Sequence, residues 1–288
     1  MPPSILVLAA GVLFSLGGTL VKLCAFPSLE RAGLRALIAA STLFLLLPAA
    51  RRRPSRKVLL LLVPYFCATC LYVIANSLTT AANTIFLQST APVWVAALSP
   101  VLLRERPRRE DIWILAAVGG GMAMIFAAPD RASATAPDPA LGDAFALAAG
   151  VGYGVLLIGL RGLGRTGGEA GAVAAYGNLF TGLVALSLLP VFGQQPTAGD
   201  ATSWLSIAML GIFQVGLAYA LLARAVRDVP ALRASLLLMI EPALNPLLAF
   251  AVHGEKPPLL ALAGGGVIVL GVAAAGIARA RDEDEVRR

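Results

Sequence analysis

Charge is scarce in this chain. Of its 288 residues 14% are charged, whereas a soluble domain carries about 25%. A water-soluble particle must turn a large share of its surface to solvent. With 58% of its residues hydrophobic and a mean hydropathy of +0.81, this chain has too little polar surface for that. A cytosolic enzyme, a secreted module and a disordered chain are excluded, and lipid is the solvent. Histidine is scarcer still: His253 stands alone, so no histidine-based metal site or nucleophile–base pair can be assembled, and no metal is expected. Cysteine is limited to Cys24, Cys67 and Cys70, all in or beside apolar runs. Cys67 and Cys70 form a CxxC, but no second pair answers it, and both read as small buried residues. No GxxxxGK[ST] loop is present, so ATP is not a direct energy source and no cofactor is expected. Ring-of-charge or repeated filter motifs of a channel are missing as well.

What the chain has in abundance is apolar runs. About 20 apolar residues span 30 Å of hydrocarbon, and ten such runs can be marked: 4–21, 29–47, 58–77, 81–103, 112–128, 141–160, 170–192, 204–225, 231–252 and 258–278. They are continuous rather than alternating, so the expected fold is an all-α integral membrane protein with ten transmembrane helices. The first run lacks a basic leader and reads as a span, not a signal. Net charge is +7, but no basic face carries interleaved aromatics, so nucleic acid is not an expected partner. The basic residues instead orient the chain. With the N-terminus inside, 18 of the 23 Lys and Arg residues fall on the cytoplasmic side, as in Arg51–Lys57 and Arg104–Arg109. This bias predicts a multi-pass protein with both termini cytoplasmic.

The two halves resemble each other. Ala9-Ala10-Gly11-Val12 returns as Ala148-Ala149-Gly150-Val151, Pro92 and Glu105 return as Pro242 and Glu255, and Gly119–Gly121 returns as Gly264–Gly266. Each half has five spans, an odd number, so the second half enters the membrane from the opposite side. That predicts two inverted five-helix repeats, at 1–128 and 141–278, joined by a Pro/Ala/Asp loop at 129–140 and followed by a charged tail at 279–288. Inverted repeats are the architecture of many secondary transporters, which exchange the conformations of the halves to open a central site to each side in turn.

Proline-centred fourth and ninth spans, the Glu105-Arg106-Pro107 and Glu255-Lys256-Pro257 that end them, and glycine-rich fifth and tenth spans resemble the drug/metabolite transporter superfamily. Within it the chain is similar to EamA-type exporters, and among these to YddG-like bacterial amino-acid exporters. The resemblance implies a bacterial inner-membrane carrier with a cavity among spans one, three, four, six, eight and nine, and with spans five and ten packed outside.

Pro92 and Pro242 are expected to interrupt their helices, freeing the carbonyls of Gln88 and Leu238, and to line and gate the transport site rather than serve packing alone. Glu241 precedes Pro242 at mid-membrane depth, where a carboxylate costs several kcal/mol (about 2.5–3.5 for Asp). Three roles fit it: proton coupling, substrate contact, or a structural hydrogen bond such as one to Asn245 a turn away. Tyr65, Thr69, Tyr72 and Asn76 share one face of span three, and Thr84, Gln88, Pro92 and Ser99 one face of span four. The substrate cavity is expected to use Tyr72, Asn76, Gln88, Trp94, Tyr153, Gln214, Tyr219, Glu241 and Asn245. Arg35, inside span two, is expected to snorkel to the interface or to pair with Glu30. Asp143 is expected to complement the start of span six. Glycine triplets read as scaffold or as a dimer contact, and the oligomeric state stays open.

Such a cavity holds aromatics, amides and hydroxyls but few fixed charges. It predicts export of small metabolites, amino acids first, with amphipathic drugs as the nearest alternative. A phosphate carrier would show converging Lys and Arg inside the membrane, and an intramembrane enzyme or a channel is more remote.

Overall fold

The computed structural model describes residues 2–102, 109–127, 136–164, 169–225, 237–238, 240–254, 256 and 258–286. Its described elements are helices. Span one is α1 (Pro3–Ser15) and α2 (Gly17–Leu23), and span two is α3 (Ser28–Leu46). Span three is α4 (Arg56–Leu60) and α5 (Leu62–Leu78), span four is α6 (Ala81–Gln88) and α7 (Ala91–Leu102), and span five is α8 (Arg109–Ala127). The second half holds α9 (Pro139–Gly164) and α10 (Ala170–Leu188), then α11 (Ala201–Met209) and α12 (Ala218–Ala225) separated by a π-helical stretch at Leu210–Leu217. It ends with α13 (Ile240–His253) and α14 (Leu259–Val286). Five stretches, Pro3–Leu23, Arg56–Leu78, Pro139–Leu160, Ala170–Leu188 and Ala201–Ala225, are long and apolar enough to cross a bilayer.

The protein is built inside out relative to a soluble domain. Leu45, Leu60, Val101, Trp113, Leu259 and Leu270 are more than 70% exposed, whereas Arg35, Asn76, Thr84, Asp143, Asn178 and Asn245 are almost fully buried. Lipid accepts the first group at no cost, and only protein can accept the second.

Helix packing follows a two-fold pattern. Span two packs on span seven, and span five on span ten, each against its own counterpart in the other half. The contact of spans three and six is matched by that of spans eight and one, and spans four and nine meet each other. Glycine permits the closest of these approaches: a Cβ on Gly121 would lie 2.5 Å from the Gly264 carbonyl, and one on Gly264 equally close to that of Gly121. Gly121 and Gly264 therefore make the contact between spans five and ten, Gly265 makes room for Phe86 of span four, and Gly119, Gly120 and Gly266 face open space.

Among the described residues, spans one, three, four and nine are interrupted by turns and span eight by its π-helical stretch. Pro64 and Pro92 each follow a turn, at Leu61 and at Ser89–Thr90, as the missing N–H and the ring clash require. Span nine turns at Leu238, and Pro242 falls in the first turn of α13 rather than mid-helix. The Leu238 carbonyl expected to be free instead accepts the Glu241 N–H at 2.9 Å, because the chain tightens just before the proline. The helix of α14 continues through the charged tail to Val286. Most of the expected loop at 129–140, the motifs at Glu105–Pro107, and Glu255 and Pro257 lie outside the described residues.

Candidate functional site

Interrupted spans from both halves cross at Gly17 and Gly18, where α1 gives way to α2. A side chain at Gly17 would lie 2.9 Å from Gln214 Nε2 and 3.2 Å from the Tyr72 hydroxyl. One at Gly18 would run into Asn245 Oδ1 and the Ala81 methyl. Spans one, three, four, eight and nine thus converge on one point because span one presents no side chain there.

The polar groups at this point are buried and incompletely paired. Gln214 Nε2 donates to the Phe14 carbonyl at 3.3 Å, and Asn245 Nδ2 donates to the Tyr72 hydroxyl at 3.4 Å. Gln214 Oε1, Asn245 Oδ1, Thr19 Oγ1 and both amide atoms of Asn76 have no hydrogen-bond partner among the described residues. Asn76 lies beside the Tyr72 hydroxyl without hydrogen-bond geometry. An unpaired buried polar group costs about 1–3 kcal/mol, and folded proteins leave few of them. Five such atoms, on Thr19, Asn76, Gln214 and Asn245, lie on the spans that meet here. Gln214 sits in the π-helical stretch, a distortion that recurs at functional sites, and its amide lies against Gly17.

An aromatic wall adjoins this crossing. Phe14 meets Tyr219 edge-on with ring centroids 5.1 Å apart, and Tyr219 meets Tyr65 at 5.8 Å. Asn178 Nδ2 donates to the Tyr65 hydroxyl at 2.6 Å. Glu241 lies within electrostatic reach of the Tyr72, Tyr153 and Tyr219 hydroxyls. Its suggested partner Asn245 turns to Tyr72 instead.

Of the residues picked from the sequence, Tyr72, Asn76, Tyr153, Gln214, Tyr219, Glu241 and Asn245 gather in this region. Gln88 and Trp94 have other engagements: Gln88 Nε2 donates to the Ala68 carbonyl at 2.9 Å, tying span four to span three, and Trp94 Nε1 donates to Thr90 Oγ1 at 3.2 Å. Pro92 and Pro242 lie at the helix interruptions of their spans.

Arg35 corrects an expectation. It neither snorkels nor pairs with Glu30: it is 3% exposed, and its Nη2 donates to the Thr69 carbonyl at 3.1 Å. Glu30 is taken by the Thr197 N–H at 3.1 Å and the Thr197 hydroxyl at 3.3 Å. The side chain of Arg35 turns inward because α3 is wedged between span three and the π-helical stretch. A lone arginine seven residues into a span was the signal for it. Gly17 and Gly18 carried no comparable signal, since Gly-Gly pairs occur widely in this sequence.

A second polar cluster closes one end of the bundle. Asp143, fully buried, accepts from the Thr79 hydroxyl at 2.8 Å and from Asn83 Nδ2 at 3.2 and 3.3 Å. Lys22 Nζ donates to the Thr79 carbonyl at 2.9 Å. Asp143 is the fifth residue of α9, so side-chain donors hold it rather than the helix terminus.

The sequence pattern of the EamA-like transporter family matches residues 1–127 and 140–277. The chain belongs to this family. An uncharacterized transporter of Archaeoglobus fulgidus is 30% identical to it over 220 residues, 76% of either chain. A crystal structure superposes on this EamA-like transporter with a TM-score of 0.70 over 97% of the chain and 98% of its own, at 21% identity. That likeness concerns the fold alone.

Proposed function

We propose that this EamA-like transporter exports small metabolites, amino acids foremost, across a bacterial inner membrane by alternating access. The observation that carries this reading is the set of unpaired buried polar atoms of Thr19, Asn76, Gln214 and Asn245, where interrupted spans of both halves cross. Unpaired acceptors such as Gln214 Oε1 and Asn245 Oδ1 suit an ammonium group. The halves, 1–128 and 141–278, exchange conformations as units, with the interruptions at Pro92 and Pro242 as hinges. The distribution of Lys and Arg supports cytoplasmic termini. In that orientation the Lys22–Thr79–Asn83–Asp143 cluster lies toward the outer face. Glu241, beside three tyrosine hydroxyls, is the residue through which protons would couple to export.

The aromatic wall of Phe14, Tyr153 and Tyr219 favours amphipathic drugs as a second reading. Purified protein in liposomes, loaded with each common amino acid and with cationic dyes, separates the two by counterflow. Saturable counterflow of amino acids supports the first reading, dye exchange alone supports the second, and conductance without saturation rejects a carrier.

A further inference from the structure

We infer that Arg35 is the group that recognises a carboxylate on the transported molecule, which makes the cargo a carboxylate-bearing solute. The inference rests on the carrier reading above and narrows its substrate class. Arg35 is 3% exposed, inside a span, and among the described residues no carboxylate pairs with it. Its one hydrogen bond goes to the neutral Thr69 carbonyl, and Nε has no partner. A buried cation left so poorly compensated is costly, and intramembrane charges persist where they serve a function.

The surroundings of Arg35 are those of a binding group. Tyr65, Tyr72 and Tyr219 lie within its electrostatic reach, and each carries a hydroxyl donor. Tyr72 and Tyr219 are also within reach of Glu241, and Tyr72 accepts from Asn245. Tyr72 and Tyr219 are thus within reach of both the Arg35 cation and Glu241, and Tyr72 adjoins the amides of Gln214 and Asn245. A small zwitterion fits that polarity, with its carboxylate toward Arg35 and its ammonium toward the amides. Guanidinium presents a planar fork that matches a carboxylate in two parallel hydrogen bonds, which lysine cannot reproduce.

The test uses the full-length wild-type protein in liposomes. Counterflow of the best amino acid is challenged with that acid, its amide and its decarboxylated amine. The wild type should prefer the acid about tenfold or more, as loss of a charge-assisted pair predicts. Arg35→Gln should erase this preference while still exchanging the amide, and Arg35→Lys should restore only part of it. Equal competition by acid, amide and amine in the wild type would overturn the inference and leave the carrier reading standing. An Arg35→Gln protein that still prefers the acid would do the same. Should the wild type exchange none of these compounds, the amino-acid reading fails together with the inference. The wild-type competition needs no variant, so a misfolded Arg35→Gln protein does not remove the test.

Discussion

Two buried polar clusters lie within this bundle, and they are handled in opposite ways. At the end of the bundle Asp143 is met by Thr79 and Asn83, with Lys22 fastened to the Thr79 backbone. At the crossing, Gln214, Asn245 and Asn76 keep acceptors and donors without partners. Around Asp143 only Asn83 Oδ1 is left without a partner among the described residues, and we read this arrangement as a fastening and, on the carrier reading, the crossing as an opening. Hydrogen bonds to a buried carboxylate lower the energy of one conformation, while unpaired groups raise it.

Removing the fastening gives the largest expected effect. Asp143→Ala strips the shared acceptor from Thr79 and Asn83, and breaking a buried charged network costs about 3–5 kcal/mol. Thermal unfolding in detergent should show a drop in Tm of several degrees; an unchanged Tm would mean that the cluster does not hold this end. Filling the opening comes next. Gly18→Ala places a methyl against Asn245 Oδ1 and Ala81, with an overpacking cost of about 1–3 kcal/mol. Counterflow should be lost while most of the stability remains, and full counterflow in this variant would move the cargo elsewhere.

Glu241→Gln alters the crossing without changing its shape. Counterflow should persist, and its stimulation by an inward proton gradient should disappear. Gradient stimulation equal to wild type would release Glu241 from any part in coupling.

The smallest effect lies outside both clusters, at Asp200. Its carboxylate accepts from the Ser203 N–H at 2.7 Å and caps α11, and hydrogen bonds from the Ser203 side chain and backbone hold its carboxyl below the usual range. A depressed folded value means the stabilisation is full above the unfolded aspartate value of about 3.9 and fades as pH falls through the lower one. Asp200→Ala should lower Tm slightly at neutral pH, and the gap to wild type should close in strong acid. A gap independent of pH would rule out the carboxylate as its source.

Much of the fold was legible in the residue pattern because lipid imposes one rule on every span. Continuous apolar runs of sufficient length must be helices, and repeated landmarks such as Gly121 and Gly264 reappear as a reciprocal contact between spans five and ten. The stripe of Tyr65, Tyr72 and Asn76 on span three also faces the interior as expected, with all three buried. Gln88 and Trp94 had the same polar or aromatic character, yet local partners on Ala68 and Thr90 engage them. Polarity says that a side chain must avoid lipid; it does not say which neighbour will satisfy it.

The sequence alone determined the solvent of this protein, its helical class and the presence of two related halves, since these depend on composition and periodicity. Tertiary structure alone decided that Gly17 and Gly18 form the crossing, that Gln214 of the π-helical stretch lies against it, and that Arg35 is buried with no carboxylate partner among the described residues. Those facts depend on which backbones come close in three dimensions. Hydrogen-bond satisfaction is a property of such meetings, and no single span contains it.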